Sequence, residues 1–249
     1  MSVSLLPVQG MPWVKPGDDL ASLLIAALAA SKLRVESDDV LVVCQKVVSK
    51  AEGRIVRLAD VKVDARASEF AETYDKNPAV VQSALNEATE ILRMGDGHLI
   101  TATGPGWICA NSGIDCSNQN DDDEITLLPL DSDASATALR ERLVAEFGVE
   151  LGVVISDTFG RPWRMGQLDV AIGVAGFEPL DDHEGRRDWA DRPLEHTLIA
   201  VADQIAAATG LLAGKADGVP AVLVKGAQCR PGPGRASDLV RPKENDLFR

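Results

Sequence analysis

Apolar and polar positions along the chain alternate between helical and strand periodicity, and this alternation predicts the elements of the fold. Residues 18–32 open with aspartates able to cap a helix and continue with apolar residues at helical spacing. Val40–Cys44 is a short run rich in β-branched residues, which predicts a buried strand. Residues 64–93 predict two helices divided near Asn77 and Pro78, because the residue before a proline avoids helical geometry.

The remaining elements indicate the fold class. Residues 98–103 and 107–110 predict a hairpin around the glycine–proline–glycine turn at 104–106. Helices and strands interleave without internal repeats or a linker rich in serine and glycine. We therefore expect a mixed α/β or α+β fold, in one large domain or two intimate ones. The other predicted elements are helices at 133–148 and 194–213 and strands at 151–156 and 219–225.

Composition and charge narrow the function classes. The 249 residues are 45% hydrophobic and 25% charged, which is ordinary for a globular protein. No apolar run reaches the roughly 18 residues of a membrane span, and the first residues lack a signal-peptide pattern, so we expect a cytoplasmic protein without membrane contact. The net charge of −13 argues against nucleic-acid binding. A polyanionic ligand would need metal ions or a few focused lysines and arginines.

The cysteines favour neither zinc binding nor thiol catalysis. Only three histidines are present, and no two cysteines form a CxxC pair, so a zinc site is not indicated. We interpret the thiols as structural. The four cysteines are Cys44, Cys109, Cys116 and Cys229.

The segment 156–176 is the strongest candidate for chemistry. A predicted buried strand ends at Asp157 and Thr158, and the chain then turns through Gly160 and carries Arg161 and Arg164. A carboxylate beside a hydroxyl suits Mg²⁺ or Mn²⁺, and paired arginines suit phosphate or carboxylate oxygens. The alternative is a plain turn in which Asp157 caps a helix and both arginines are solvated.

Two further segments carry polar residues just after predicted strands. Asp115 and Asn118 follow the hairpin in a cluster that is also typical of an ordinary turn. If Asp115 meets Asp157 in space, two carboxylates on one metal could clamp a polyphosphate. Lys46 and Lys50 follow the strand that ends at Cys44 and could approach phosphates, although solvated lysines are the common alternative.

The glycine-rich stretch 210–218 is not a phosphate-binding P-loop. It has three residues rather than four between Gly210 and Gly214, and Ala216 stands where the motif needs serine or threonine. It also follows a predicted helix instead of preceding one, so the helix dipole points the wrong way for a phosphate. The backbone of this loop could still contact a nucleotide.

Taken together, six ordered blocks resemble the coenzyme F420-0:L-glutamate ligase family, the γ-glutamyl ligases of F420 biosynthesis. The resemblance covers essentially the whole chain, and the six blocks with their spacing are far more specific than any one of them. The blocks are LPVQGMPWVKPGDDL, DVLVVCQKVVSKAEGR, ANSGIDCSN, SDTFGRPWRMGQLDVAIGVAG, VADQIAAATGLLAGKADGVPAVLVKG and RPKENDLFR.

The resemblance implies an activity and an architecture. The family is similar in transferring the γ-phosphoryl group of GTP to the carboxylate of F420-0, after which the α-amine of L-glutamate attacks the acyl phosphate. A second glutamate can follow through a γ-linkage. Two divalent cations, Mg²⁺ or Mn²⁺, and K⁺ are implied as cofactors. The implied fold is an α+β arrangement of two intimate subdomains over residues 1–249, forming an intertwined homodimer.

The resemblance also implies roles for individual residues. Asp115 and Asp157 would hold one metal and Thr158 the second. Arg161 and Arg164 have no role in the family motifs; from their chemistry we expect them to hold substrate phosphate, with Arg164 and Asp157 as the catalytic pair. The implied GTP-binding residues are Met11, Pro12, Trp13, Val14, Gln45, Lys46, Lys50, Asn118, Gly214 and Lys215.

The sequence departs from the family pattern in two places. Ala190 and Asp191 stand where an aromatic residue and a glycine are expected. We also expect no C-terminal reductase-like domain of the kind that is fused to some bacterial relatives. Two other hypotheses therefore stay open: a ligase of the same build for another carboxylate or amino acid, and a GTP-binding sensor without ligase chemistry. A metal-dependent phosphatase is disfavoured because no histidine lies near either acidic cluster.

Overall fold

A computed structural model describes residues 2–119, 121–214 and 217–247 of the chain, which form a mixed α/β fold. The helices are α1 (Leu20–Ala30), α2 (Gln45–Ala51), α3 (Ala65–Tyr74), α4 (Pro78–Glu87), α5 (Ser132–Phe147) and α6 (Val201–Thr209). The strands are β1 (Ser4–Val8), β2 (Val40–Cys44), β3 (Ile55–Arg57), β4 (Glu90–Gly95), β5 (His98–Ala102), β6 (Ile108–Ala110), β7 (Glu124–Thr126), β8 (Gly152–Arg161), β9 (Arg164–Ala175), β10 (Leu180–Asp182), β11 (Leu198–Ala200) and β12 (Ala221–Lys225).

The central sheet has the strand order β1-β12-β2-β8-β9. β2 and β8 are parallel to each other, and the other neighbours in this sheet are antiparallel. α5 and α6 both pack against β8 and β9, and α1 packs against α5. The central strands are fully buried, as at Leu41, Val153 and Leu223. Burial on both faces explains why β2 and β12 are continuous apolar runs rather than alternating ones.

A second, smaller hydrophobic cluster lies away from this sheet. α3 and α4 pack together, and Phe70 and Val81 from these helices pack with Leu99 of β5. β5 is the middle strand of a three-stranded sheet with β4 and β6. The described chain therefore contains a main core around the five-stranded sheet and a satellite core around β5.

Several predicted elements are confirmed, and local signals explain them. Asp19 caps α1, since its Oδ1 accepts a hydrogen bond from the Ser22 N–H at 3.1 Å. Asn77 caps α4 and Pro78 occupies its first turn, so the predicted break between two helices is correct. The hairpin of β5 and β6 and the strands β2 and β12 also form as predicted.

Three boundaries were predicted wrongly. The second helix of the 64–93 segment ends at Glu87, because residues 90–95 pair with β5 as β4. The helix predicted at 194–213 spans only residues 201–209, because residues 198–200 pair with β10. In both places cross-strand hydrogen bonds override the local helical pattern.

The third correction concerns the strand that carries Asp157. β8 does not end there but continues to Arg161, and the chain reverses at residues 162–163 rather than at Gly160. Asp157 pairs with Val170 of β9 within the ladder. The alternative in which Asp157 caps a helix is therefore wrong.

None of the helices within residues 2–119, 121–214 and 217–247 combines the length and the apolar character needed to cross a membrane.

A close approach between β9 and the start of α5 gives a stability prediction. A Cβ added at Gly173 of β9 would lie 2.3 Å from the Ser132 carbonyl oxygen at the start of α5. We expect Gly173→Ala to lower the free energy of unfolding by about 1–3 kcal/mol, because backbone on both sides must shift. Gly160→Ala is the matched control, since a Cβ there meets nothing within 4 Å. Urea unfolding of both variants tests this, and equal stability would contradict it.

Candidate functional site

A cavity of about 750 Å³ opens where β2 ends beside β8. The parallel pairing stops at Cys44 and Ser156, after which β2 gives way to α2. From Asp157 onward, β8 pairs only with β9 among the described strands, so its other edge faces the cavity. Ligands in α/β sheets commonly bind at such carboxyl ends, where no neighbouring strand covers the site.

The cavity collects most of the residues singled out from the sequence. They come from the segment after β1, from α2, from the turn after β6, from β8 and from the loop after α6. Lys215 lies outside the described residues. The predicted residues that line the cavity are Met11, Pro12, Trp13, Val14, Gln45, Lys46, Lys50, Asp115, Asn118, Asp157, Thr158 and Gly214.

Asp115 is paired with a lysine from α2. The Lys46 Nζ lies 2.6 Å from Asp115 Oδ2 and 2.7 Å from the Ser117 hydroxyl. Asp115 Oδ1 also accepts hydrogen bonds from the backbone N–H and the hydroxyl of Ser117. Burial opposes ionisation of Asp115, but the contacts from Lys46 and Ser117 outweigh it and hold the carboxyl pKa below its ordinary value. Asp115 is therefore ionised and already faces a cation.

Lys50 places a second ammonium in the cavity wall. Its side chain is buried, and its Nζ donates to the Asn118 carbonyl oxygen at 2.6 Å. The same Nζ lies 3.9 Å from the centroid of the Trp13 ring, at cation–π distance. Burial, assisted by the nearby charge of Lys46, lowers the pKa of Lys50. An anionic ligand would oppose this lowering of the Lys50 pKa, because a nearby negative charge favours the protonated amine.

Gln45 is a buried amide at the floor of the cavity. Its Oε1 accepts a hydrogen bond from the Ser49 hydroxyl at 2.8 Å. Its Nε2 is buried and has no hydrogen-bond partner in the described part of the chain. Buried polar groups are nearly always satisfied, so this donor is suited to a ligand acceptor atom.

Asp169 is a cavity residue for which the sequence analysis predicts no role. It lies opposite Thr158 in the β8–β9 ladder, and its Oδ1 accepts a hydrogen bond from the Thr158 hydroxyl, with 2.6 Å between the two oxygens. A Cβ at Gly210 would lie 2.9 Å from Asp169 Oδ2, so this glycine leaves space for the carboxylate. Asp169 could have been found from the sequence only by placing the turn of the β8–β9 hairpin correctly. The turn sets which residue of β9 lies opposite Thr158, and its position was predicted wrongly.

The two arginines lie at the end of the β8–β9 hairpin and do not line the cavity. Arg161 donates to the Met165 carbonyl oxygen at 3.1 Å. Arg164 is exposed at the start of β9. The structure thus brings Asp115, Asp157 and Thr158 to one cavity. Arg164 does not line that cavity, so its predicted role has no support from the contacts within its own chain.

The oxygen ligands in the cavity fit a hard divalent cation that keeps part of its coordination for a ligand. Asp115, Asp157 and Thr158 line the same cavity. Within the described ranges, no group of three or more His, Cys, Asp or Glu side chains is arranged to enclose a metal by itself. Mg²⁺ is usually held by one or two carboxylates plus substrate phosphates, which matches this donor set. Such a cation would compete with Lys46 for Asp115.

The cavity therefore offers hard oxygen ligands, two lysines and a buried amide donor, which together suit a phosphorylated ligand bound with a divalent cation. The chain belongs to the F420-0:Gamma-glutamyl ligase family, whose model matches residues 10–226. It is 45% identical to the coenzyme F420:L-glutamate ligase of Methanothermobacter thermautotrophicus over 253 residues, which cover 100% of both chains. It is 42% identical to the enzyme of the same name from Archaeoglobus fulgidus, over 100% of this chain and 97% of that one. The corresponding protein of Methanopyrus kandleri is 41% identical over 95% of this chain and 93% of its own length.

The cysteines near the cavity give a prediction about pH. Burial raises the pKa of the Cys109 thiol to about 12, while Cys116 is exposed and its pKa is raised by partial burial and by the charge of Asp115. Because the thiolate is the reactive form, we expect iodoacetamide to label Cys116 first as the pH rises from 8 to 10, with Cys109 protected. Peptide mass spectrometry measures both sites, and labelling in urea is the control. Equal labelling rates in the folded protein would contradict the burial of Cys109.

Proposed function

We propose that this protein ligates L-glutamate to coenzyme F420-0 at the expense of GTP. The observation that carries the proposal is the convergence of Asp115, Asp157, Thr158, Lys46 and Lys50 on one cavity, although they come from three separate stretches of sequence. The names of the relatives support the two substrates, since they are coenzyme F420:L-glutamate ligases that align over the whole chain. GTP and the order of steps rest on the family resemblance and on the chemistry of the cavity.

The proposed reaction has two steps. A carboxylate oxygen of F420-0 attacks the γ-phosphorus of GTP, the bond to the bridging oxygen breaks, and GDP leaves. The α-amine of glutamate then attacks the carbonyl carbon of the acyl phosphate. The bond between this carbon and the oxygen that bridges to phosphorus breaks, so inorganic phosphate leaves, and the nitrogen loses a proton. The product is an amide, F420-1, and a second γ-linked glutamate can be added by the same steps.

The residues of the cavity divide this work between them. Lys50 and Lys46 supply positive charge for the nucleotide phosphates, and the Gln45 Nε2 donor is available to an oxygen of the ligand. Asp115 and Asp157 would hold one Mg²⁺ or Mn²⁺ and Thr158 a second, with K⁺ as a further cofactor. Bound divalent cations would neutralise charge on the transferring phosphoryl group.

Three parts of the backbone complete the proposed GTP site. They are residues 11–14, the stretch that carries Asn118, and the loop at Gly214, all of which line the cavity. The side chain of Trp13 holds the ammonium of Lys50 against its ring, which fixes the direction of that charge.

Lys50→Met should raise the KM for GTP about tenfold to a hundredfold, because a charge-assisted contact to phosphate is lost.

The proposal is tested by incubating the protein with F420-0, L-glutamate, GTP and Mg²⁺ or Mn²⁺, followed by mass spectrometry. We expect a product that is heavier by one glutamyl group and forms only when GTP is present.

Asp157→Asn should reduce the rate of product formation by at least about a hundredfold, because one metal-binding carboxylate is lost. Glu146→Gln on the exposed face of α5 is the control for removing one negative charge, and it should leave the rate unchanged.

The outcomes separate the competing functions. GTP hydrolysis that depends on a different carboxylate or amino acid would assign the fold to another amide ligase. Tight GTP binding without turnover of any acceptor would favour a GTP-binding sensor. An unchanged rate for Asp157→Asn would reject the proposed metal site, whatever the substrate.

We also propose that residues 1–249 act as one unit of two intimate subdomains within a homodimer. The satellite core around β5 supports the second subdomain. The tip of the β8–β9 hairpin supports the dimer, since Trp163 and Met165 are 79% and 96% exposed there and exposed apolar side chains often mark contact surfaces. Arg164 belongs to this tip, so its predicted catalytic role fits the cavity of a second copy better than its own.

The hairpin gives a test of this arrangement. Light scattering should report a dimer for the wild-type protein, and replacement of Trp163 and Met165 by serine should shift the mass towards a monomer. Arg164→Ala should keep the dimer but lower kcat about tenfold or more, as loss of a charged contact to phosphate does. A monomeric wild-type protein with full activity, or unchanged kinetics for Arg164→Ala, would refute the role of the tip.

A further inference from the structure

A second cavity, of about 300 Å³, is lined by other residues of β8, β9 and α6 than the main cavity. Its walls come from the β5–β6 hairpin, from β8 and β9, from the first turn of α6 and from the segment at residues 239–246. Its volume is at the lower end for small-molecule sites, so it is suited to a ligand of the size of an amino acid rather than a nucleotide.

The two cavities are neighbours along the β8–β9 ladder. Val170 lines the second cavity and is the cross-strand partner of Asp157, which lines the first. Residues directly opposite each other in a ladder project to the same face, with Cβ atoms about 4.5–5.5 Å apart. Phe159, which also lines the second cavity, lies two residues after Asp157 and therefore shares that face. The two cavities therefore adjoin the same strand pair, at neighbouring positions of β8 and β9.

Two acids, Asp203 and Asp246, and one base, Arg241, line the second cavity, and Asp246 is already engaged in an interaction of its own. Asp203 in the first turn of α6 accepts the Ala171 N–H with its Oδ1 at 2.9 Å, and burial raises its pKa. No lysine or arginine of the described ranges forms an ion pair with Asp203. Arg241 is exposed, and it takes part in none of the ion pairs found within those ranges.

A third polar group adds an unused donor. Trp107 is 7% exposed and lines the cavity, and its indole Nε1–H has no hydrogen-bond partner among the described residues. An indole N–H is a donor only, and buried ones usually find an acceptor. A carboxylate in the cavity could serve as that acceptor.

The ordinary explanation of Asp203 is structural. An acid in the first turn of a helix interacts favourably with the helix dipole, and the bond to Ala171 closes the free edge of β9. That accounts for one carboxylate oxygen. It does not account for an arginine and an unpaired indole donor on the same small cavity, next to the proposed reaction centre.

We propose that the second cavity binds the acceptor amino acid, L-glutamate, with its ammonium group on Asp203 and a carboxylate on Arg241 and the Trp107 Nε1–H. This inference rests on the proposed ligase function and locates the acceptor for it. A zwitterion is the class of ligand that an unpaired acid and an unpaired base in one cavity recognise. The adjoining cavity then supplies the carboxylate that the amine attacks.

Steady-state kinetics with Asp203→Asn test the assignment, because asparagine keeps an oxygen for the Ala171 N–H while removing the charge. We expect the KM for L-glutamate to rise about tenfold to a hundredfold, as when a charge-assisted contact is lost, with the KM for GTP within about twofold of wild type. Arg241→Gln should act in the same direction and, being exposed, is not needed for folding. Glu146→Gln is the control for charge, and thermal unfolding confirms that each variant is folded.

A binding measurement separates this inference from the ligase proposal. Saturation-transfer NMR with L-glutamate alone should give a signal for the wild-type protein that is lost in Asp203→Asn and kept in Glu146→Gln. If the wild-type protein makes no product but shows this pattern, the ligase proposal fails and the acceptor cavity stands. Product formation with an unchanged KM for L-glutamate in both variants, or a change in the KM for F420-0 alone, would overturn the assignment.

Discussion

The parallel pairing of β2 with β8, and the point where it stops, is the constraint on which the site depends. Both strands are buried on both faces, so their register is fixed by packing as well as by hydrogen bonds. Because β2 ends at Cys44 opposite Ser156 while β8 continues, the first residues of α2 and the free edge of β8 meet at one place. Gln45 and Asp157 become neighbours of one cavity for this reason alone. The bulge in the β8–β9 ladder, between Ile155 and Ser156, adds twist just before Asp157.

The electrostatics of the cavity differ from those of the whole chain. A net charge of −13 repels polyphosphates at long range, yet two lysines of α2 project into the cavity. Lys50 is held by the Asn118 carbonyl oxygen and the Trp13 ring, which offset the cost of burying an ammonium group. Lys46 is held by Asp115 instead, so each lysine has a partner within the protein. A phosphorylated ligand that arrives with divalent cations would replace these contacts with contacts to phosphate and metal.

Local signals predicted much of the fold but little of the site. The cap at Asp19 and the break at Asn77 and Pro78 depend on neighbouring residues, and the strand at 40–44 is encoded by its own apolar run, so sequence alone predicted these features. The strands at 90–95 and 198–200 depend on partners elsewhere, and a local pattern could not reveal them. The same is true of the contact between Lys46 and Ser117, which lie 71 residues apart. Convergence on one cavity was therefore predictable only through resemblance to a family.

The departure from the family pattern at Ala190 and Asp191 lies in a turn that is outside both cavities. Asp191 has a φ of 64°, in the left-handed region where glycine is favoured and aspartate is among the better-tolerated alternatives. The aromatic residue is not lost from this loop but stands one position earlier, where Trp189 is fully exposed. The Asp188 side chain accepts the backbone N–H groups of Ala190 and Arg192, which keeps the turn closed. The loop lines neither cavity, so Ala190 and Asp191 keep its turn without contributing a side chain to either cavity of this chain.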